Sequence, residues 1–135
     1  MKHSRLDHTP SDGPKFQSTI PEQIAIAPGY LEREWEEDGR RYFHYTMDGK
    51  ILNFAACLSA DYEQITDSIN GIDLAVYYHK GHEYNIHDMM KAMKMSLEYY
   101  SENFSPYQFK QLRVFEFPRY ASFASTIFFK HNSSY

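Results

Sequence analysis

Three histidines and one glutamate fall within nine residues, HKGHEYNIH at positions 79–87. Imidazole and carboxylate groups are usual zinc ligands, and zinc requires them to converge within about 2 Å of one point. In the helical HExxH motif the histidines stand four residues apart, whereas here they stand three and five apart and position 86 is isoleucine. We therefore interpret the stretch as a polar turn between a strand and a helix. The alternative is a metal site made by His79, His82 and His87 with the glutamate between them.

Two further features could carry chemistry. Residues 32–38 form an acidic arm opposite Arg40 and Arg41, and paired carboxylates can serve as acid–base groups. Opposite charges across a hairpin more often form a solvated face, and we interpret the arm in that way. Cys57, the only cysteine, lies in the apolar run ILNFAACL and is predicted to be a buried small hydrophobe rather than a nucleophile.

Composition limits the classes of function. The 135 residues are 42% hydrophobic with a formal net charge of −4, which predicts a folded chain without the basic surface that nucleic acid or an anionic membrane would require. One cysteine excludes an intrachain disulfide and a four-cysteine zinc site. No signal-peptide pattern and no apolar stretch approaching about 18 residues is present, so we expect a soluble segment.

The first half of the chain has β-strand patterns after a polar lead-in at 1–15 that we expect to be disordered. Short apolar runs at 23–27 and 51–58 fit strands. Between them, Tyr30–Glu37 and Arg40–Thr46 flank Asp38-Gly39, the dipeptide of a two-residue type I′ hairpin. Alternation in the second arm places Phe43 and Tyr45 on one face.

The second half changes period near residue 80. Residues 60–70 are interpreted as a polar loop and 71–79 as a strand. Apolar residues then recur at spacings of three and four from Ile86 to Phe104, which predicts an amphipathic helix with Asn85 as its N-cap, and 111–117 reads as a further strand. The fold class predicted is α+β, mostly antiparallel β followed by one long helix and a strand.

The stretches IAIAPGYLEREWEEDGRRYFHYTMDGKILNFAACLSADYE and LAVYYHKGHEYNIHDMMKAMKMSLEYYSENFSPYQFKQLRVFEFPRYASFA, in that order, resemble part of the M1-type (gluzincin) zinc aminopeptidases. The subgroup they resemble is bacterial and linked to ABC-transporter permeases. The resemblance implies that 16–80 is the β-rich end of a saddle-like β-sandwich domain and that 81–124 begins a thermolysin-like catalytic domain. Residues 125–135 depart from the family and suggest a truncated or frame-shifted tail.

The resemblance also carries expectations about the site. The parent family binds zinc and hydrolyses peptide N-termini, and its HExxH motif lies downstream of the matched region, so this chain is expected to bind no zinc and to be inactive alone. Ala121, Ser122 and Phe123 stand where the family's substrate-binding GxMEN segment begins, although the motif itself is absent. The implied partners are a peptide substrate in a membrane-associated parent, without direct membrane contact here, and a second copy bound through an exposed methionine-rich helix face. The alternative is a non-catalytic β-rich module that binds a peptide or another protein chain, for example by strand addition.

Overall fold

The computed structural model describes residues 15–49 and 57–116, which belong to two compact units. One contains 15–49 and 57–60, and the other contains 61–116. The units therefore divide after Ala60, before the change of period near residue 80, and the segment 61–80 groups with the helix. The boundaries expected from the family resemblance, at residues 15, 80 and 124, separate a lead-in, a saddle-domain segment, a catalytic-domain segment and a tail. They remain predictions.

The described residues of the first unit form five strands in two antiparallel sheets. The strands are β1 (Lys15–Thr19), β2 (Ile24–Ile26), β3 (Tyr30–Glu37), β4 (Arg40–Thr46) and β5 (Leu58–Ala60). The three-stranded sheet has the order β1-β4-β3, and β2 pairs with β5. The hairpin predicted at Asp38-Gly39 is confirmed, since both residues have positive φ values of 50° and 69°, as a type I′ turn requires.

Alternation along β4 builds the core of the first unit. Phe43 and Tyr45 are almost fully buried and pack with Ala25 and Ala27, which confirms the face predicted from sequence. The Tyr45 hydroxyl donates a hydrogen bond of 2.8 Å to the Ala25 carbonyl. A buried tyrosine hydroxyl that lacked such a partner would destabilise the fold, so this bond makes the tyrosine compatible with the core.

Residues 61–116, the described part of the second unit, form a three-stranded sheet covered by one helix. Its elements are β6 (Tyr62–Ile69), β7 (Ile72–His79), a 3₁₀ turn (Glu83–Asn85), α1 (Ile86–Asn103) and β8 (Gln111–Phe115). β6 and β7 are antiparallel, whereas β7 and β8 are parallel. Parallel neighbours need a crossover connection, and α1 supplies it. The predicted α+β class is confirmed.

The helix buries one face against this sheet. Its buried residues are Ile86, Met90, Met93 and Leu97, which pack on Leu74 and Val76 of β7. Leu74 and Val76 therefore share the face of β7 that the helix covers. β7 covers Met90 and Met93, so these two methionines pack in the core of the second unit. Association with a second copy remains a prediction.

Three sequence-based predictions need correction or fall outside the described residues. The polar segment 60–70 is not a loop, because it forms β6 and closes a hairpin onto β7 through Asn70-Gly71. The prediction that Cys57 is buried is wrong, because its side chain is exposed just before β5. The Gln17 side-chain amide donates a hydrogen bond of 3.1 Å to the Cys57 Sγ. The strand predicted at 51–58 is described only from residue 57, and 1–14 and 117–135 lie outside the description. No helix in the described ranges is long and apolar enough to cross a membrane.

Candidate functional site

The stretch HKGHEYNIH forms a tight turn followed by the start of a helix. β7 ends at His79, and the His82 backbone N–H donates to the His79 carbonyl at 3.0 Å. Gly81 has a φ of 92°, a conformation that residues with a β-carbon rarely adopt. Its N–H donates to a Glu83 carboxylate oxygen at 3.0 Å. The sequence-based interpretation as a strand-to-helix turn is therefore confirmed.

Glu116, the residue that follows β8, holds this turn in place. One of its carboxylate oxygens lies 2.5 Å from His82 Nδ1, and the other accepts the backbone N–H of His79 at 2.9 Å. Its own N–H donates to the Tyr77 carbonyl at 2.9 Å, and its carbonyl accepts the Tyr62 hydroxyl at 2.7 Å. Glu116 thus connects β6, β7, the turn and β8 at one end of the sheet.

The hydrogen bonds set the charge state of the carboxylates in this region. Burial raises the pKa of Glu116, but the bonds from the His79 N–H and from His82 outweigh it, so the net pKa lies below the usual value. The pKa of Glu83 is also lowered, chiefly by the Gly81 N–H. Burial, and then the nearby Glu116 charge, raises the pKa of Tyr62. At neutral pH the turn therefore carries ionised carboxylates beside a neutral phenol.

Only part of the proposed metal-ligand set is brought together. The rings of His79 and His82 lie edge to face with their centroids 6.3 Å apart, whereas His87 is exposed in the first turn of α1. Within residues 15–49 and 57–116, no group of three or more His, Cys, Asp or Glu side chains could hold a metal ion. The described residues do not fit zinc. Ala121, Ser122 and Phe123 lie outside the described residues, so their substrate-binding role stays a prediction.

Sequence reasoning missed Glu116. A signal for it exists, because Glu116 directly follows the predicted strand QLRVF. The parallel register pairs Tyr77 with Phe115 and so brings the next residue to the end of β7. Residues at the carboxyl ends of parallel strands meet at one edge of a sheet. Recognising the crossover β7-α1-β8 would have placed Glu116 beside the turn.

An open cleft of about 200 Å³ lies at this edge of the second unit. His82, Tyr84 and Glu116 line it, together with Val76 and Tyr78 of β7 and Met89 of α1. The N-cap Asn85 also lines it and makes no side-chain capping bond, so the predicted N-cap position is confirmed but the capping interaction is not. The cleft combines aromatic surface with an ionised carboxylate and an imidazole.

Comparison with solved structures identifies the fold. The crystal structure of an M1 zinc metallopeptidase from Deinococcus radiodurans matches with a TM-score of 0.67 at 15% identity. A mutant of that enzyme bound to a Tyr-Ser-Ala substrate matches with a TM-score of 0.67 at 16% identity. A two-domain M1 zinc metallopeptidase bound to L-tryptophan matches with a TM-score of 0.66 at 15% identity. The fold of this chain is therefore similar to part of the M1 metallopeptidase structure.

The structural alignments cover only a small part of each metallopeptidase. Each alignment covers 78% of this chain but only 26% of the metallopeptidase, so the chain spans about a quarter of the length of the proteins it matches. No family model and no curated protein sequence matches the chain. At this level of identity the comparison establishes the M1-like fold, and activity has to be argued separately.

Proposed function

We propose that this chain forms the junction between the saddle domain and the catalytic domain of an M1-type, peptidase-like protein. The observation that carries the proposal is the order of elements, in which antiparallel strands precede the parallel crossover β7-α1-β8, together with the structural match over 78% of the chain. The sequence stretches quoted above further support the bacterial, ABC-transporter-linked subgroup and a membrane-associated parent. In this role the chain is a scaffold segment of a peptide hydrolase.

The segment does not perform the zinc chemistry of the parent by itself. A hydrolytic zinc centre uses three protein ligands, a bound water and a general base. The sequence contains His82-Glu83 but has Ile86 where an HExxH motif requires histidine. The paired groups that the turn does contain, His82 and Glu116, are joined to each other and stabilise the turn. We therefore assign this segment no catalytic residue.

Metal content and hydrolysis test this proposal together. The purified 135-residue chain would be dialysed against zinc, analysed by elemental mass spectrometry, and assayed with a panel of aminoacyl-4-nitroanilides. We expect substoichiometric zinc and hydrolysis equal to a protein-free blank. One tightly bound zinc per chain, lost in the double variant His82→Ala/His87→Ala but retained in a Lys80→Ala control, would refute the non-catalytic role.

A non-catalytic peptide-binding module is the second candidate. In the described part of the first unit, β3 pairs only with β4, and an edge strand offers backbone groups to an extended peptide. Its exposed carboxylates make a basic peptide the appropriate probe. Binding of such a peptide, with new protection from hydrogen exchange along 30–37, would favour this candidate over the scaffold role.

A further inference from the structure

The face of α1 that points away from the sheet carries a second stripe, which we call the outer stripe. Its positions recur at alternating spacings of four and three, the heptad pattern by which two helices pack side by side. They are Asp88, Ala92, Met95, Tyr99 and Glu102. The middle three are apolar, and Met95 and Tyr99 are 58% and 57% exposed. Apolar side chains are therefore open to solvent at a helix–helix packing spacing.

Charged residues beside the outer stripe have opposite signs in its two halves. Lys91 lies on one flank in the first half, and Glu98 lies about two turns later on the same flank. Both are exposed, and within residues 15–49 and 57–116 neither makes an ion pair. A parallel pair of such helices would bring like charges to the same height, whereas an antiparallel pair brings Lys91 to Glu98 of the partner subunit. The charges therefore favour an antiparallel, twofold-symmetric pair.

We propose that α1 pairs with α1 of a second copy of this chain, antiparallel, through the outer stripe. The twofold axis lies between Ala92 and Met95, so each Ala92 packs against Met95 of the partner subunit. The same register brings the Tyr99 hydroxyl to the carboxylate of Asp88 of the partner subunit, which can accept its hydrogen bond. The surface lies within residues 61–116, and the proposal does not depend on a peptidase-like origin.

The length of the outer stripe limits the strength of this pair. It spans four helical turns, about 21 Å. One helix pair of that length is smaller than a standard protein–protein interface, so we expect a dissociation constant on the order of 100 μM. The chain is then a monomer at the low-micromolar concentrations used for spectroscopic denaturation.

Sedimentation equilibrium of the purified full chain, from about 10 μM to about 1 mM, tests the pairing. We expect the average mass to rise from that of the 16.0 kDa chain toward twice that value and to stop there, because a twofold contact closes on itself. A mass that stays at the monomer value, or that grows beyond the dimer, would overturn the proposal.

Two neighbouring tyrosines test which face of α1 makes the contact. Tyr99→Ala should weaken the dimer about tenfold, since each dimer loses two aromatic contacts. Tyr100→Ala is the matched control, because Tyr100 is 59% exposed but points about 100° further round the helix. It should change the dissociation constant less than about twofold. Equal weakening by the two variants, with the ellipticity of α1 intact, would contradict a contact through the outer stripe.

Charge reversals test the antiparallel register. Lys91→Glu and Glu98→Lys should each weaken self-association about tenfold, because each places like charges opposite one another twice. The double variant Lys91→Glu/Glu98→Lys, and an equimolar mixture of the two single variants, should dimerise about as tightly as wild type. Lys80→Glu makes the same charge change in the turn before the helix and should have little effect. Wild-type affinity in either single variant, or no recovery in a folded double variant, would refute the register.

Discussion

The backbone N–H of His79 donates to the carboxylate of Glu116 at 2.9 Å, joining the last residue of β7 to the first residue after β8. The other oxygen of the same carboxylate lies against His82. A single side chain therefore holds together the two parallel strands and the turn that leads into α1. This relationship defines the end of the sheet at which the cleft lies.

Replacement of Glu116 should destabilise the second unit. Hydrogen bonds to charged groups contribute about 1.5–3 kcal/mol, and glutamine keeps an acceptor for the His79 N–H but loses the charge. We expect Glu116→Gln to lower the free energy of unfolding by about 1–2 kcal/mol, measured by urea denaturation followed by the far-UV ellipticity of α1. Glu98→Gln, at an exposed position of α1, is the control and should change stability little. Equal stability of the two variants would show that the carboxylate charge is unimportant.

The same carboxylate should make stability depend on acidic pH. The pKa of Glu116 is lower in the folded chain than its usual value, so its contribution is fully present above the unfolded pKa of about 4.3 and is lost as pH falls through the lower folded pKa. We expect the stability difference between wild type and Glu116→Gln to be constant from about pH 7 to about pH 5 and to shrink below about pH 4. A difference that persisted at the lowest accessible pH would contradict this linkage.

Two methionines on one helix provide a matched test of the core. Met93 is 7% exposed against β7, whereas Met95 is 58% exposed. We expect Met93→Ala to cost about 2–4 kcal/mol through lost burial and a residual cavity, and Met95→Ala less than about 0.5 kcal/mol. Urea denaturation followed by helix ellipticity measures both. Similar costs would show that α1 packs on the sheet through a different face.

Two glycines in the first unit separate backbone strain from steric overlap. Gly39 has a φ of 69° and open space around its α-carbon, whereas a β-carbon on Gly29, whose φ is 118°, would lie 2.7 Å from the Thr46 carbonyl oxygen. We expect Gly39→Ala to cost about 1 kcal/mol and Gly29→Ala about 2–4 kcal/mol.

Fluorescence of Trp35, the single tryptophan and a residue of β3, reports on the unit that contains both glycines. Urea titrations of the two alanine variants and wild type would therefore give the two costs directly. A Gly39→Ala cost as large as that of Gly29→Ala would mean that the close approach to Thr46 is relieved by a small backbone shift.

Most strands and the helix could be predicted from the sequence because each depends on residues within one short segment. The hairpin at Asp38-Gly39 depends on two residues that tolerate positive φ, and the helix depends on apolar spacing within one segment. The strand β6 was missed because it is an edge strand with mostly polar side chains, and only Ile65 and Ile69 pack toward the helix. The Asn70-Gly71 dipeptide, with φ values of 51° and 77°, was the available signal for that hairpin.

The sequence predicted the turn at the candidate site but did not predict the carboxylate that holds it. The histidines drew attention to the correct turn, but the group that organises them, Glu116, is 34 residues from His82. Its position depends on the parallel register of β7 and β8, which no local pattern specifies. Cys57 illustrates the same limit, since an apolar run indicates hydrophobicity but not which side chains face the core.

The crossover from β7 through α1 to β8 sets an order of events during synthesis. β6 and β7 are adjacent in sequence and joined by a two-residue turn, so they can pair as soon as they leave the ribosome. The second edge of β7 stays unpaired until the helix and β8 have been translated, and the part of the apolar face of α1 that packs on Leu112 and Val114 stays uncovered for the same interval. Such surfaces are the ones that chaperones recognise and that associate wrongly. The nascent second unit is therefore most vulnerable to aggregation just before residues 111–116 emerge.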